Sequence, residues 1–469
     1  MKKHNAIKVV LICLGVFLLL SWIFPAAYYQ TSFVNQGRVQ MGLFDIFSYP
    51  VVAMQYFGYI ALYVLVVGAF YGVLNHISAY RVLLDKITNK FKDHKKLFLS
   101  VIMIVIAVLT STCGIQYALF LAFPFVISII LMLGYDKVVA LLATVGSVSV
   151  GLMGTTYAYN NVSILSQYLS LGMGSALVPR IIILVIGLAL LIFNTLLYIK
   201  KNKMEKLSAA DSKYYIPEEV KKADSKKVNV WPLRIVSLIM FAIMILAFIS
   251  WNGAFNNSAF DDATTAVTGF KLFGFPIFSK ILGTVTAFGN WTLTSYTVVI
   301  AVATLILAIA YKVSFDDVLE DGIKGAKNAL GPAVIVLLIY TGLVISVYHP
   351  FQLTLYKAIL GMTKGFNVFT SSLVAILSSV FNADPLYVFN SAIPYLVSIV
   401  SDKTVYSVIW IVFQSIYGLS AIIAPTSVVL LASLAYLNVP YKKWFKLVWK
   451  YALEMLIILL VIFTILVLI

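Results

Sequence analysis

Long, strongly apolar runs alternate along the chain with short polar or basic stretches. The runs have the length of membrane-spanning helices, not of half-buried elements in a soluble domain. The pattern predicts helices over about 7–28 and 53–75, a basic loop from Arg81 to Lys96, and an apolar run from Leu97 that stops at Leu109. Those thirteen residues, at 1.5 Å each, reach only about 20 Å, against a hydrocarbon core of about 30 Å. The interruption from Thr110 to Gln116 is therefore expected near mid-membrane, as the tip of a re-entrant hairpin over about 97–134 that opens to the cytosol. The next run, Val138 to Tyr157, contains Gly146, Gly151 and Gly154 and leads into Asn160 and Asn161, which predicts a helix broken part-way. A helix over about 179–198 closes this half.

Residues 199–233 form a long hydrophilic linker carrying Lys200, Lys201, Lys203, Lys206, Lys213, Lys221, Lys222, Lys226 and Lys227. It divides the chain into an N-terminal membrane half, 1–198, and a C-terminal one, 234–469. The second half reads as helices over about 234–251 and 293–311 around an external segment, whose Leu272 to Phe278 portion is expected at the membrane interface. An amphipathic cytosolic surface helix over 314–327, a helix over 331–347 and a second hairpin over about 366–400, opening outward, follow. A run from Val405 is interrupted at Ala424 to Ser427, continues to Tyr436, and is followed by a basic turn and a last helix over about 449–469.

Charge supports this orientation. All but seven of the 34 Lys and Arg fall in segments placed in the cytosol, the exceptions being Arg38, Arg180, Lys271, Lys280, Lys357, Lys364 and Lys403. Such a positive-inside bias places the N-terminus in the cytosol. Composition agrees: 62% of the 469 residues are hydrophobic and only 11% charged, where soluble proteins carry roughly 25%. The net charge of +16 belongs to these loops and gives no support to nucleic-acid binding. Cys13 and Cys113 sit in apolar runs without metal-ligand spacing, so disulfides and zinc are not expected. The run from Ile7 to Ile23 is long enough to span, and the later spans need a cytosolic start, so a retained helix is preferred to a cleaved signal.

The two halves repeat one order of features. A polar tip, Pro124, Asp136-Lys137 and a break at Asn160 in the first are matched by a polar island from Asn382 to Pro385, Pro394, Asp402-Lys403 and a break at Thr426 in the second. The separation from Asp136 to Asn160 is 24 residues, as is that from Asp402 to Thr426. Because the hairpins open to opposite sides, the repeats are inverted. Inverted repeats with broken helices are the signature of secondary transporters, whose interrupted helices present free backbone groups to a midplane substrate.

Candidate binding groups cluster at these interruptions. Asp384 is a carboxylate between apolar runs, where ionisable residues are costly and usually functional. It would contact a substrate amine or a coupling ion, although an Asp-Pro pair also caps an ordinary helix. Thr110, Ser111, Thr112 and Gln116, with Gly114 to relax the backbone, suit a neutral half of a site, and Asn160, Asn382, Thr426 and Ser427 read similarly; each of them could equally bond between helices. The tyrosines and phenylalanines read as lipid packing. There is no P-loop, so energy comes from gradients or exchange, with protons or sodium as coupling ions and no other cofactor. Only four histidines, His4, His76, His94 and His349, are present, which argues against an enzyme.

The sequences Gly68 to Asn75, Leu133 to Asp136 and Glu320 to Lys327, and above all Ile423 to Ser427 followed by Val439 to Lys446, resemble the YfcC-like membrane proteins. These are grouped with the arginine/ornithine antiporters of the ion transporter superfamily. The resemblance implies elevator-like alternating access, in which a transport domain carries the site past a scaffold, and relatives of that kind are often homodimers. Three departures stand out: Gly114 to Ala118 lacks an acidic pair usual in the family, the second tip carries Asp384 in place of a Gly- and Ser-rich turn, and Leu338 to Leu343 lacks an arginine often found there. The expectation is an all-α polytopic plasma-membrane transporter exchanging a small polar metabolite, foremost an amino acid and among these a basic one. Sodium- or proton-coupled uptake of a small dicarboxylate is the alternative, and a non-transporting membrane scaffold subunit is a third reading from another class.

Overall fold

The computed structural model describes residues 5–202, 204, 228–283, 285–363, 365–382 and 384–469. Most of the expected linker, with Lys203, Lys206, Lys213, Lys221, Lys222, Lys226 and Lys227, lies outside the described residues, as do Lys364 and Ala383 of the polar island. The chain begins with α1 (Asn5–Ile23), a small antiparallel pair β1 (Ala26–Tyr29) and β2 (Phe33–Gly37) with Tyr28 opposite Val34, and then α2 (Leu43–His76) and α3 (Ser78–Phe91). The first hairpin is α4 (Lys95–Cys113), a tip containing a 3-10 turn at Ala118–Leu121, and α5 (Phe123–Met132). A continuous helix follows, made of α6 (Lys137–Leu141), a π-helical turn at Leu142–Gly146 and α7 (Ser147–Met153); after a break come α8 (Tyr159–Leu169) and α9 (Leu177–Lys201).

The second half opens with α10 (Trp231–Phe248), and three short segments, α11 (Trp251–Phe255), α12 (Ala259–Gly269) and α13 (Ile277–Leu282), join it to α14 (Leu293–Ala310). Then come α15 (Phe315–Tyr348), α16 (Gln352–Leu360) and the second hairpin, α17 (Val368–Phe381) and α18 (Pro385–Ile399). The second broken helix is α19 (Tyr406–Ala421) with α20 (Val428–Leu437), and α21 (Tyr441–Leu468) ends the chain. Among the described residues, nine helices are long and apolar enough to cross a membrane.

Several expectations change: the basic turn before the last helix is the beginning of α21, and α2 starts at Leu43, ahead of the helix expected from 53. The surface helix over 314–327 and the spanning helix over 331–347 are one helix, α15, with Pro332 inside it. A proline inside a membrane helix frees few backbone groups and is tolerated where neighbouring helices pack around it. The partner here is α2; both helices have 34 residues, about 50 Å of helix, and they touch backbone to backbone. A Cβ on Gly72 would lie 2.0 Å from the Asp321 carbonyl oxygen, and one on Gly325 2.1 Å from that of Gly68. Small residues permit such close approach and the dispersion contacts it brings. The basic loop expected after α2 contains α3, an amphipathic helix that buries Ala79, Tyr80, Val82 and Leu84.

The repeat has a local physical cause. Asp136 accepts from the Val138 and Val139 amides and so caps α6. Asp402 accepts from the Thr404 amide at 2.9 Å and the Thr404 hydroxyl at 2.6 Å at the start of the second broken helix. Those two bonds hold the exposed Asp402 carboxyl below the ordinary carboxylate range. Each aspartate thus sets where its helix begins. The broken helices then cross at the centre of the protein, where a Cβ on Gly418 would lie 2.1 Å from the Met153 amide nitrogen. Ser149 Oγ donates to the Gly418 carbonyl at 2.6 Å, and Ser415 Oγ to the Met153 carbonyl at 3.0 Å. Ser149 and Ser415 each stand 13 residues after their capping aspartate, so the exchange is reciprocal between equivalent positions.

Gly418→Val should therefore lower the thermal unfolding midpoint of the detergent-solubilised protein strongly, since overpacking a core costs about 1–3 kcal/mol or more. Gly15→Ala, at a helical position with open space around it, is the control that should not lower the midpoint. An unshifted midpoint for Gly418→Val would exclude the close crossing of α7 and α19.

Candidate functional site

The two hairpin tips and the second break meet around a small cavity of about 20 Å³, lined among others by Gln116, Tyr117, Ser379, Asn382, Tyr417 and Thr426. It has room for about one water, so the tips are closed on each other. Ser427 lines it too while its hydroxyl caps α20 by accepting from the Leu430 amide. Thr426 Oγ1 donates to the Val380 carbonyl at 2.7 Å, which fastens the second break to the second tip. Asn382 donates to the Ser378 carbonyl and to Ser391 Oγ.

Asp384 is half-buried and caps α18, one carboxylate oxygen accepting from the Leu386 amide at 3.0 Å. The capping chemistry of an Asp-Pro pair is thus realised, and the carboxylate also interacts with the Tyr340 hydroxyl of α15. Tyr340 in turn bonds the Tyr117 hydroxyl at 3.2 Å, and Tyr417 reaches Gln116 Oε1 at 3.5 Å. Tyrosines thus stand between the acid of one tip and the neutral groups of the other. Sequence reasoning assigned these tyrosines to lipid packing; the available signal was their position beside the tips and breaks.

The remaining residues singled out from the sequence lie elsewhere. Ser111 ties the first tip to the first break, donating to the Gly154 carbonyl at 2.7 Å and lying 3.1 Å from Thr156 Oγ1. Thr110 and Thr112 turn back onto their own helix, to the Ile106 and Val108 carbonyls. Asn160 is exposed; its neighbour Asn161 is the buried amide, with an Nδ2 that has no partner. A Cβ on Gly114, whose φ is +71°, would lie 3.3 Å from that nitrogen, so the first tip approaches Asn161 where only glycine fits. Arg180, counted among the external cations, is fully buried at the first break. Its guanidinium donates to the Thr155 and Thr156 carbonyls at 3.3 and 3.2 Å.

A second cavity, about 470 Å³, lies between α2, α3, α5, α15 and α20. Val428 and Val429 of α20 face the tip cavity, whereas Ala432, Ser433 and Tyr436 face the larger one, so the two are stacked along α20. The lining of the vestibule includes His76, Arg81, Asp321, Lys324 and Asn328. His76 Nδ1 lies 2.7 Å from Asp321 Oδ2, and Arg81 donates to the Asn75 carbonyl at 2.9 Å. Ser433 Oγ is buried and without a partner.

The family model of DcuC, the C4-dicarboxylate anaerobic carriers, matches residues 4–469. The chain belongs to the DcuC family. This replaces the YfcC-like and arginine/ornithine antiporter grouping and leaves the exchange of amino acids without support. Membership of a carrier family makes this DcuC-family chain a membrane transporter, neither an enzyme nor a scaffold subunit, and its spans make it multi-pass. No curated protein shows a significant match. Among solved structures, the Alcanivorax borkumensis YdaH transporter aligns over 98% of this chain and 98% of its own at 14% identity, with a TM-score of 0.43.

The cap at Asp384 separates two roles of that residue. Asp384→Asn keeps an acceptor for the Leu386 amide and should leave the unfolding midpoint nearly unchanged, whereas Asp384→Ala should cost about 1 kcal/mol. Equal stability of Asp384→Ala and wild type, followed by circular dichroism during heating, would exclude the cap.

Proposed function

We propose that this chain is a secondary active transporter of C4-dicarboxylates. The observation that carries the reading is the charge of the vestibule: Arg81 and Lys324 line it against one lining carboxylate, Asp321, which is hydrogen-bonded to His76. A dianion approaching such a concave, low-dielectric mouth is drawn in, and a basic amino acid is repelled. The amide of Asn328 and the free hydroxyl of Ser433 add the hydrogen-bonding groups a carboxylate needs.

In this reading the N-terminus and the vestibule face the cytosol, in keeping with the positive-inside bias. The halves 1–198 and 234–469 are inverted repeats; the hairpins and broken helices form the moving body, and the long pair α2 and α15 forms the scaffold, in a homodimer. Substrate passes from the vestibule to the tips when these part. The groups there are Gln116, Asn382, Thr426 and Ser427, with Ser111 bracing the first tip against the first break. Coupling to protons or sodium runs through Asp384, the carboxylate at the second tip.

Counterflow in proteoliposomes tests this. Labelled succinate should accumulate and be displaced by unlabelled dicarboxylates but not by arginine or ornithine, and the double variant Arg81→Gln, Lys324→Gln should raise the KM for succinate several-fold, less so at high salt. Displacement by arginine, or no dicarboxylate uptake under any ion gradient, would overturn the reading. For coupling, Asp384→Asn should alter the pH dependence of uptake or its response to sodium; an unchanged profile in both would remove Asp384 from that role.

A further inference from the structure

Arg180 is fully buried, and each of its donors ends on a backbone carbonyl: Nε on Ala176, Nη1 on Thr155 and Thr156, Nη2 on Met173 and Ser175. The face of the guanidinium lies 5.3 Å from the Trp410 ring. No ion pair to it occurs among the described residues. Carbonyl dipoles satisfy its hydrogen bonds but leave a whole positive charge inside the protein, which is costly unless something negative benefits from it.

The second repeat shows what the fold itself requires here. Arg180 is the fourth residue of α9, the helix that follows the first break, and Trp444 is the fourth residue of α21, which follows the second. Trp444 Nε1 donates to the Ile422 carbonyl at 2.8 Å, and the Tyr441 hydroxyl donates to that of Ile423. Both breaks therefore need donors for their freed carbonyls, as any buried interruption does. In the second repeat an indole and a phenol are among these donors. In the first the donor is a guanidinium.

The carbonyls of the first break are also engaged by other donors. Met153 accepts from Gln414 and Ser415, Gly154 from Ser111, and Thr155 from Gln414 as well as Arg180. Through Thr156, whose hydroxyl and amide both bond Ser111, the guanidinium is joined to the first hairpin by a short chain of hydrogen bonds.

We infer that Arg180 is a resident positive charge that makes the site prefer a dianion over a monoanion of the same shape, acting through the first break without touching the substrate. The inference rests on the dicarboxylate reading above. At an effective dielectric of about 20, a unit charge held in the same protein interior changes the binding of a carboxylate on the order of tenfold.

The test compares uptake of labelled succinate with that of its monoamide by wild type, Arg180→Gln and Arg180→Lys in proteoliposomes, after confirming folding by thermal unfolding. The ratio of the two kcat/KM values should fall about tenfold in Arg180→Gln and be largely retained in Arg180→Lys, which keeps the charge with fewer donors. A structural brace would instead lower both substrates together in both variants and leave the ratio unmoved, which would overturn the inference while the transport reading stood. Should Arg180→Gln not fold, Arg180→Met takes its place as the neutral variant: a ratio about tenfold below that of Arg180→Lys supports the charge, and equal ratios in the two folded variants overturn it. Wild type that carries neither anion would overturn the transport reading and this inference with it.

Discussion

The crossing of the two broken helices is the constraint on which the rest of the architecture depends. Gly418 lies against the Met153 backbone, and Ser149 and Ser415 each hand a hydroxyl proton to the other helix's carbonyl. Helices that are interrupted inside a membrane must find partners for the groups they release, because lipid supplies none. Here each broken helix accepts a serine hydroxyl from the other, and α9, α21 and the first hairpin supply further donors. The crossing brings the second break to the centre, where the two hairpin tips close on it, and every polar group discussed at the tips is placed relative to that contact.

On this symmetric frame the chemistry is asymmetric. The first tip carries Gln116 and Tyr117, and the second carries Asn382 and Asp384. The first break is held by a guanidinium and the second by an indole and a phenol. A positive charge at one half and a carboxylate at the other give the two ends of the site different electrostatic character while the backbone geometry stays paired.

Much of the architecture was legible from the chain alone. The polar interruptions at Thr110 to Gln116 and at Asn382 marked where helices end, although α4 runs on to Cys113 and is itself long enough to cross a membrane. Asp136 and Asp402 marked helix starts because a short carboxylate accepts from the free amides of a first turn. Where hydropathy misled, the reason is specific. It divided α15 at its charged first half, although Gly325 packs against Gly68 and Gly72 there, a contact that transfer energies do not encode. It also left α3 as a loop, although Tyr80 and Leu84 bury against the rest of the protein.

The sequence by itself determined the membrane class, the paired halves and the places where helices break, since these follow from lengths, apolar runs and local capping. It also marked Asp384 as an acid out of place. Only the tertiary structure decided which marked residues share a cavity, because Gln116, Asn382 and Thr426 are brought together across hundreds of positions, whereas Asn160 faces outward beside the buried Asn161. It also decided the place of Arg180. In the chain that residue is one more cation at a helix start. In the fold its partners are carbonyls of a break some 25 residues away, and a charge satisfied by backbone dipoles leaves no complementary side chain in the sequence to reveal it.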